Sequence, residues 1–416
     1  MALEIVVHTK ILQGDISERV CIGIDRGKIS AVGKRLRGDR EYHFEDYLAL
    51  PGGVDIHTHM REPGMTQKED FFSGTMAAAM GGTTTIIDMP NTIPAVTDEA
   101  SFREKLDIVR QKANVDFGLM AQIYDIDHVP KIAPLAAGFK LYMSETTATP
   151  GGHKTPLEIL LNADELAHRV VTVHAEDSSY FEEGDCQDLH RHNLMRNMKA
   201  EQEAVAEILN IDAPVKLNLA HLTTKDNVDL ARARRASFEI TPHHVLLHDA
   251  SPIGARGKVN PPLRKRPVAE KLIQILKTGR AIVASDHAPH TAEEKGGDFA
   301  DAPSGLPGVE TRIPLMLALA NKRILRYGAV QDMCCTLPAE LFGMKKGKIE
   351  RGYDADLAFY DLDNVVEIRD EIMHSKCGWT PFEGHEGVFP SGVMLRGMMI
   401  VRGGDLAIEG SGKNLF

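Results

Sequence analysis

The chain has 416 residues, 43% hydrophobic and 26% charged, the balance of an ordinary globular protein with room for a large core and a smaller satellite. Its net charge of -11 argues against a surface built to hold nucleic acid, although a local arginine can still govern a pocket for a small anion. Five scattered cysteines (Cys21, Cys186, Cys334, Cys335, Cys377) make neither a disulfide framework nor a thiolate knot, and no secretion signal or membrane-length apolar run is visible, so a reduced, cytoplasmic protein is expected.

The first fifty residues read as β ribbon at Ile5–Val7, Val20–Ile24 and Ile29–Val32, with a turn at Asp25-Arg26-Gly27. A different rhythm follows. Apolar runs end in polar residues at Val54–His59, Thr83–Asn91, Phe117–Gln122, Ala137–Met143, Val170–Glu176, Val215–His221, Ser237–His243 and Ala281–His287. Helix-compatible segments lie between them at Glu99–Ala113, Pro156–His168, Ala200–Leu209, Lys225–Arg235 and Val268–Thr278. This pattern predicts an α/β fold, a (β/α)8 TIM-like barrel over residues 51–345. The tail turns β-like again at Ile349–Tyr360 and Val393–Val401. Neither end could bury a core alone, so residues 1–50 and 346–416 are expected to form one small β-sandwich domain.

The ionisable residues His57, His59, Asp88, Lys140, His174, His221, His243 and Asp286 fall at the carboxyl ends of the predicted strands, where a barrel gathers its chemistry. His57 and His59 sit at i and i+2 and point to one side of a strand, as two ligands of one ion would. Taken singly, His174 and His221 read more readily as hydrogen-bonded strand-end histidines than as ligands. On consecutive barrel strands they extend the set, and a cation would account for the carboxylate of Asp286 emerging from an apolar run. Lys140 interrupts its strand and as an ammonium would repel a metal. It could pair with a barrel carboxylate, snorkel to water, or carry a carbamate whose two oxygens bridge two ions. The donors divide well between two metals, and spacing equally admits one.

Taken together, PGGVDIHTHMREPG, GGTTTIIDMPNT, GFKLYMSET, VTVHAED, AHLTT, NPPLR, ASDHAPH, SGLPGVET and GYDADLAFYD resemble the amidohydrolase superfamily, and within it the longer, two-domain dihydroorotases, across essentially the whole chain. The resemblance implies two zinc ions per chain on His57, His59, His174, His221 and Asp286, bridged by N6-carboxylysine at Lys140. Many bacterial members carry an aspartate in the region of Lys140, and this chain departs from them. The implied reaction interconverts (S)-dihydroorotate and N-carbamoyl-L-aspartate in pyrimidine biosynthesis. A metal-bridging hydroxide opens the ring, and Asp286 shuttles the proton to the departing nitrogen. The family also admits a homodimer and association with aspartate carbamoyltransferase, neither of which any motif here carries.

Other cyclic amidases, such as allantoinase, hydantoinase and dihydropyrimidinase, share the metal ligands, so the substrate carboxylate discriminates. Arg61, beside His59, suits a bidentate carboxylate, the bland alternative being an ion pair with Glu62 or Glu69. Asn91 and His290 match the family's further carboxylate contacts, and Asn260 matches a contact to the substrate ring. Ser304, Gly305, Leu306, Pro307 and Gly308 match a loop whose backbone reads the imide edge. A metal-free barrel acting as a structural partner is the non-enzymatic alternative, and the intact ligand set argues against it. His243 and His244 are read as supports, Cys334-Cys335 as packing, and Trp379 and Phe382 as part of a loop covering the barrel. The pairs Gly81-Gly82, Gly151-Gly152 and Gly296-Gly297 lack a phosphate-binding fingerprint.

Overall fold

The computed structural model describes residues 3–145 and 154–416; Gly151-Gly152 and the last residue of GFKLYMSET lie outside the described residues. The amino-terminal strands β1 (Leu3–Gln13), β2 (Ile16–Asp25), β3 (Lys28–Gly33) and β4 (Gly38–Pro51) join strands from the other end of the chain. The barrel strands, in chain order, are β5 (Gly53–Thr58), β6 (Thr83–Asp88), β7 (Asp116–Gln122), β8 (Gly138–Tyr142), β9 (Val170–His174), β10 (Lys216–Leu219), β11 (Ser237–Ile240) and β12 (Ile282–Val283). After the barrel come β13 (Leu357–Tyr360), a small ribbon of β14 (Val366–Glu367) and β15 (Glu386–Gly387), then β16 (Pro390–Leu395), β17 (Met398–Arg402) and β18 (Asp405–Leu406).

The two chain ends meet in one eight-stranded mixed sheet of order β18-β17-β16-β13-β4-β1-β2-β3. It buries a core of its own, including Val7, Ile22, Ile24, Leu357, Phe359 and Met394, and the Phe44 ring stacks on Phe359 at 4.0 Å. β4, the longest strand, is absent from the predicted strands because Asp39, Arg40 and Glu41 are exposed and only its last four residues are buried. The expected single strand Val393–Val401 is a hairpin instead: Arg396 and Gly397 take φ of 46° and 77° and turn the chain between Leu395 and Met398. Both central residues at positive φ are what a two-residue turn needs to match strand twist.

All eight predicted barrel strands form, parallel and in sequence order, and a bridge between Thr58 and His287 brings the two ends of the sheet together. β6, β7, β8 and β9 are buried along their whole length, which is why they read as continuous apolar runs. The predicted helix 156–168 is two pieces, Leu157–Leu161 and a 3-10 turn at Asp164–Leu166. Helices Phe71–Met80 and Arg312–Asn321 escape a periodicity reading because they are buried nearly all round and show no polar stripe. Among the described residues, no helix is long and apolar enough to cross a membrane.

Candidate metal centre

Strand ends deliver the ionisable groups to one rim. His57 is the penultimate residue of β5, and the chain beyond it is held by Met60 N donating to Asp88 Oδ1 at 2.7 Å and by Met89 N donating to Thr58 O at 2.8 Å. Asp88 is itself paired with the buried Lys105 at 2.6 Å, so it supports the main chain next to His59. Arg61, His221 and Asp286 adopt φ of 59°, 37° and 47°. Among the described residues Arg26, His168, Arg235, Arg323 and Arg396 also take positive φ, all in turns, whereas these three stand at the rim.

His57, His59 and Asp286 offer three ligand atoms that all lie within 4.8 Å of one another. Asp286 Oδ1 is 3.2 Å from His59 Nε2 and 3.5 Å from His57 Nε2. The far nitrogen of each ring is committed. His57 Nδ1 donates to Glu239 Oε2 at 2.6 Å, and His59 Nδ1 donates to Asn91 Oδ1 at 2.5 Å. With the protons held there, both Nε2 atoms present lone pairs toward a carboxylate oxygen. Such a convergence of acceptors is repulsive until positive charge sits among them, so the donor set fits a divalent cation.

His174 and His221 stand beside this group. His174 Nε2 donates to Glu176 Oε2 at 3.0 Å, and Arg196 holds that same oxygen at 2.6 Å. His174 Nδ1 therefore faces inward, 3.1 Å from His221 Nε2. His221 Nδ1 is buried with no hydrogen-bond partner among the described residues, and its ring lies 5.3 Å from that of His57. Burial lowers the pKa of His59 to about 3 and pushes His174 and His221 below the ordinary imidazole value, which keeps all three in the neutral, ligating form.

Lys140 is fully buried, with Nζ 3.3 Å from His57 Nε2 and 5.3 Å from the centre of the Tyr142 ring. Among the described residues no carboxylate oxygen lies within 4 Å of it, so neither the salt bridge nor the snorkel is seen. Burial lowers its ammonium pKa to about 8, toward the free amine.

The pocket around these groups is also lined by Arg61, Asn91, Tyr142, Asn260, Ser304 and Gly305. Arg61 is buried, and among the described residues it makes no ion pair with Glu62 or Glu69. Its Nε donates to Pro289 O at 3.1 Å, while Nη1 has no hydrogen-bond partner among the described residues. His290 Nδ1 accepts from Lys68 Nζ at 3.0 Å and Nε2 lies 3.0 Å from Ser304 O, which places the ring proton on Nε2. The approach of Arg61 Nη2 to that nitrogen, 3.2 Å, is then a contact between two donors, and Nη2 too is left for an anion. Both His290 nitrogens face protein atoms, and the oxygen of Asn91 holds His59.

The 304–308 loop divides. Ser304 and Gly305 reach the pocket, whereas Pro307 and Gly308 line a separate cavity with His287 and Trp379. Gly305 N donates to Lys258 O, Leu306 O accepts from Ala288 N, and Gly308 N donates to His287 Nδ1, so these groups are engaged with the protein. Gly305 has φ of 146°, and a Cβ there would lie 2.4 Å from Ala288 O. Trp379 Nε1 donates to His290 O at 2.7 Å, tying its loop to the rim. His244 bonds Pro261 O at 2.9 Å, and both it and His243 lie on the short helix Pro242–Leu246 beyond β11. A larger cavity, about 920 Å³, opens at the opposite end of the barrel near Ser237 and Ala281, away from the imidazoles.

Sequence reading missed the residues that orient the ligands: Glu239, Glu176, Arg196 and Asn218, which donates to Glu239 Oε1 at 2.6 Å. A carboxylate inside the apolar strand SFEI and another two residues after His174 were the available signals.

A parallel barrel carrying imidazoles and an aspartate on one rim defines a class of metal-site hydrolase, and the chain belongs to the amidohydrolase family, whose model matches residues 48–397. It is 38% identical to the dihydroorotase of Methanosarcina mazei over 94% of this chain and 93% of that one, and 38% identical to the dihydroorotase of Halobacterium salinarum over 95% and 96%. Among solved structures it resembles L-hydantoinase (dihydropyrimidinase) from Arthrobacter aurescens, with a TM-score of 0.92, 27% identity and 99% of both chains covered. Dihydropyrimidinase from Brevibacillus agri follows at a TM-score of 0.89 and 27% identity, covering 99% of this chain and 98% of that one. Family, fold and cluster together make this a cyclic amidohydrolase with a candidate metal-binding site.

Proposed function

We propose that the protein is a dihydroorotase, interconverting (S)-dihydroorotate and N-carbamoyl-L-aspartate, with ring closure serving pyrimidine synthesis in the cytoplasm. The observation that carries this reading is Arg61. A buried guanidinium with Nη1 unpartnered is costly unless an anion arrives, and dihydroorotate brings a carboxylate that hydantoin and dihydrouracil lack. The relatives named dihydroorotase support it. The hydantoinase reading draws on the structural likeness, which a shared fold explains equally well.

The barrel of residues 51–345 would supply the site, with residues 1–50 and 346–416 forming the small domain. His57, His59 and Asp286 would hold one zinc ion and His174 and His221 a second. Lys140, having released a proton on adding carbon dioxide to its amine, would bridge them as a carbamate. When bound, such ions supply Lewis acidity and a water of lowered pKa. Asp286 takes the proton of the attacking water and returns it to the ring nitrogen as the amide bond opens, because an unprotonated amide leaves poorly. Arg61 anchors the carboxylate, with Asn91 and His290 behind it. Asn260 and the Ser304–Gly305 part of the loop hold the ring edge.

The test compares turnover of dihydroorotate with that of hydantoin and dihydrouracil in wild type and Arg61→Ala. Wild type should act on dihydroorotate, and the variant should lose at least about 30-fold in kcat/KM on it, as truncating one member of a buried charge pair does. Wild-type preference for the uncharged rings would assign the protein to the hydantoinase side, and an indifferent variant would remove Arg61 as the carrier of specificity.

A further inference from the structure

Asn260 lines the pocket from a stretch without regular secondary structure, so nothing in its own backbone decides which end of its amide meets a ligand. The decision is made behind it. Helix Leu189–Met195, capped by Asp188 accepting from Arg191 N at 2.7 Å, carries the buried His192. Its Nε2 lies 3.0 Å from Val259 O and 3.0 Å from Asn260 Oδ1. A backbone carbonyl only accepts, so Nε2 must carry the ring proton. The side-chain atom of Asn260 sharing that proton must therefore be its oxygen. The Nδ2 amide makes no hydrogen bond among the described residues and is the end left for the pocket. With the proton on Nε2, Nδ1 is an acceptor, and the Cys186 thiol at 3.5 Å is its donor. Burial lowers the pKa of His192 to about 4, so this arrangement persists through the neutral range.

We propose that His192 is a positioning residue: a relay from the Cys186 thiol through the His192 imidazole to Asn260 Oδ1 presents the Asn260 amide as a hydrogen-bond donor to a carbonyl oxygen of the substrate ring. This rests on the dihydroorotase reading for the identity of the ring. The bond is uniform, made to substrate and transition state alike, so its loss acts on binding.

His192→Phe keeps ring volume and removes both nitrogens. It should raise KM for dihydroorotate about five- to tenfold with kcat within about twofold. His192→Gln, whose amide can again donate to Val259 O and Asn260 Oδ1, should recover most of that loss. Asn260→Ala should raise KM similarly, and combining it with His192→Phe should add nothing, the mark of residues acting as one unit. Additive losses, or a normal KM in His192→Phe while Asn260→Ala is impaired, would overturn the relay and leave the dihydroorotase reading standing. Absence of turnover in wild type would instead remove that reading. The relay is then still decided by nitrogen-15 histidine spectra of the full protein, with His192 assigned from the His192→Gln difference. A neutral Nε2–H tautomer is expected, and an Nδ1–H tautomer contradicts the relay.

Discussion

The imidazoles here are set by what lies behind them. A histidine on a strand can offer either nitrogen, and only the group bonded to the other one settles which faces the rim. Glu239 does this for His57 at 2.6 Å, and Asn218 in turn holds Glu239 at 2.6 Å. Glu239→Gln can present its amide nitrogen to His57 Nδ1 and favour the wrong tautomer. It should weaken metal binding about 10- to 100-fold, read by competition with a calibrated chelator. Affinity equal to wild type would mean that His57 is oriented by packing alone. At Gly305 the constraint is steric, since a Cβ would lie 2.4 Å from Ala288 O. Gly305→Ala should therefore displace the loop and cost at least about 1 kcal/mol of stability, measured by urea unfolding.

Among elements, the barrel and the terminal sheet are joined by a buried charge cluster. Lys346 Nζ meets Asp116 on β7 at 2.8 Å, Asp356 at 2.6 Å and Asp354 at 3.1 Å, and Arg396 also pairs with Asp116. Three carboxylates in this arrangement could hold a metal, but the ammonium occupies the place. Lys346→Met leaves the acids facing one another, and breaking a buried pair of this kind costs about 3–5 kcal/mol. We expect a lower urea midpoint while kcat/KM measured below the transition stays near wild type, because the cluster lies at the start of β7 and the metal site at the strand ends. Loss of activity without loss of stability would show coupling between the two ends of the barrel.

For the whole molecule, buried imidazoles tie stability to pH in the metal-free protein, His192 and His244 among them. Burial lowers the pKa of His192 and of His244 to about 4, against 6.5 in an exposed chain. Between those values the unfolded chain binds protons that the native protein refuses, so stability falls as pH drops from about 6.5 toward 4 and is fully present above 6.5. Each imidazole contributes up to about 1.4 kcal/mol per pH unit. Urea midpoints at intervals across this window should fall together with pH, and a flat profile would mean that these rings are solvated in the native state. Metal acts in the same direction, since a ligand that binds only the folded state at 100 times its Kd adds about 2.7 kcal/mol. Stripping bound metal with a chelator should accordingly lower the melting temperature.

By itself the sequence determined the barrel and its reactive rim. Eight apolar runs ending in polar residues are a local pattern, and strand periodicity follows from backbone geometry whatever the surroundings. Because each run ends at the same rim of a barrel, the pattern also made His57, His59 and Asp286 readable as one group, although 227 positions separate the last two. What lay beyond it depends on contacts between residues far apart in the chain. Glu239 is 182 positions from His57, His192 is 68 from Asn260, and no motif spans either distance. The helices Phe71–Met80 and Arg312–Asn321 lost their periodic signature because tertiary packing covers them nearly all round. Which nitrogen of each ring faces the rim, and which arginine atoms stay unpaired, are properties of the folded neighbourhood, because a proton's position is set by whichever partner the fold brings within 3 Å.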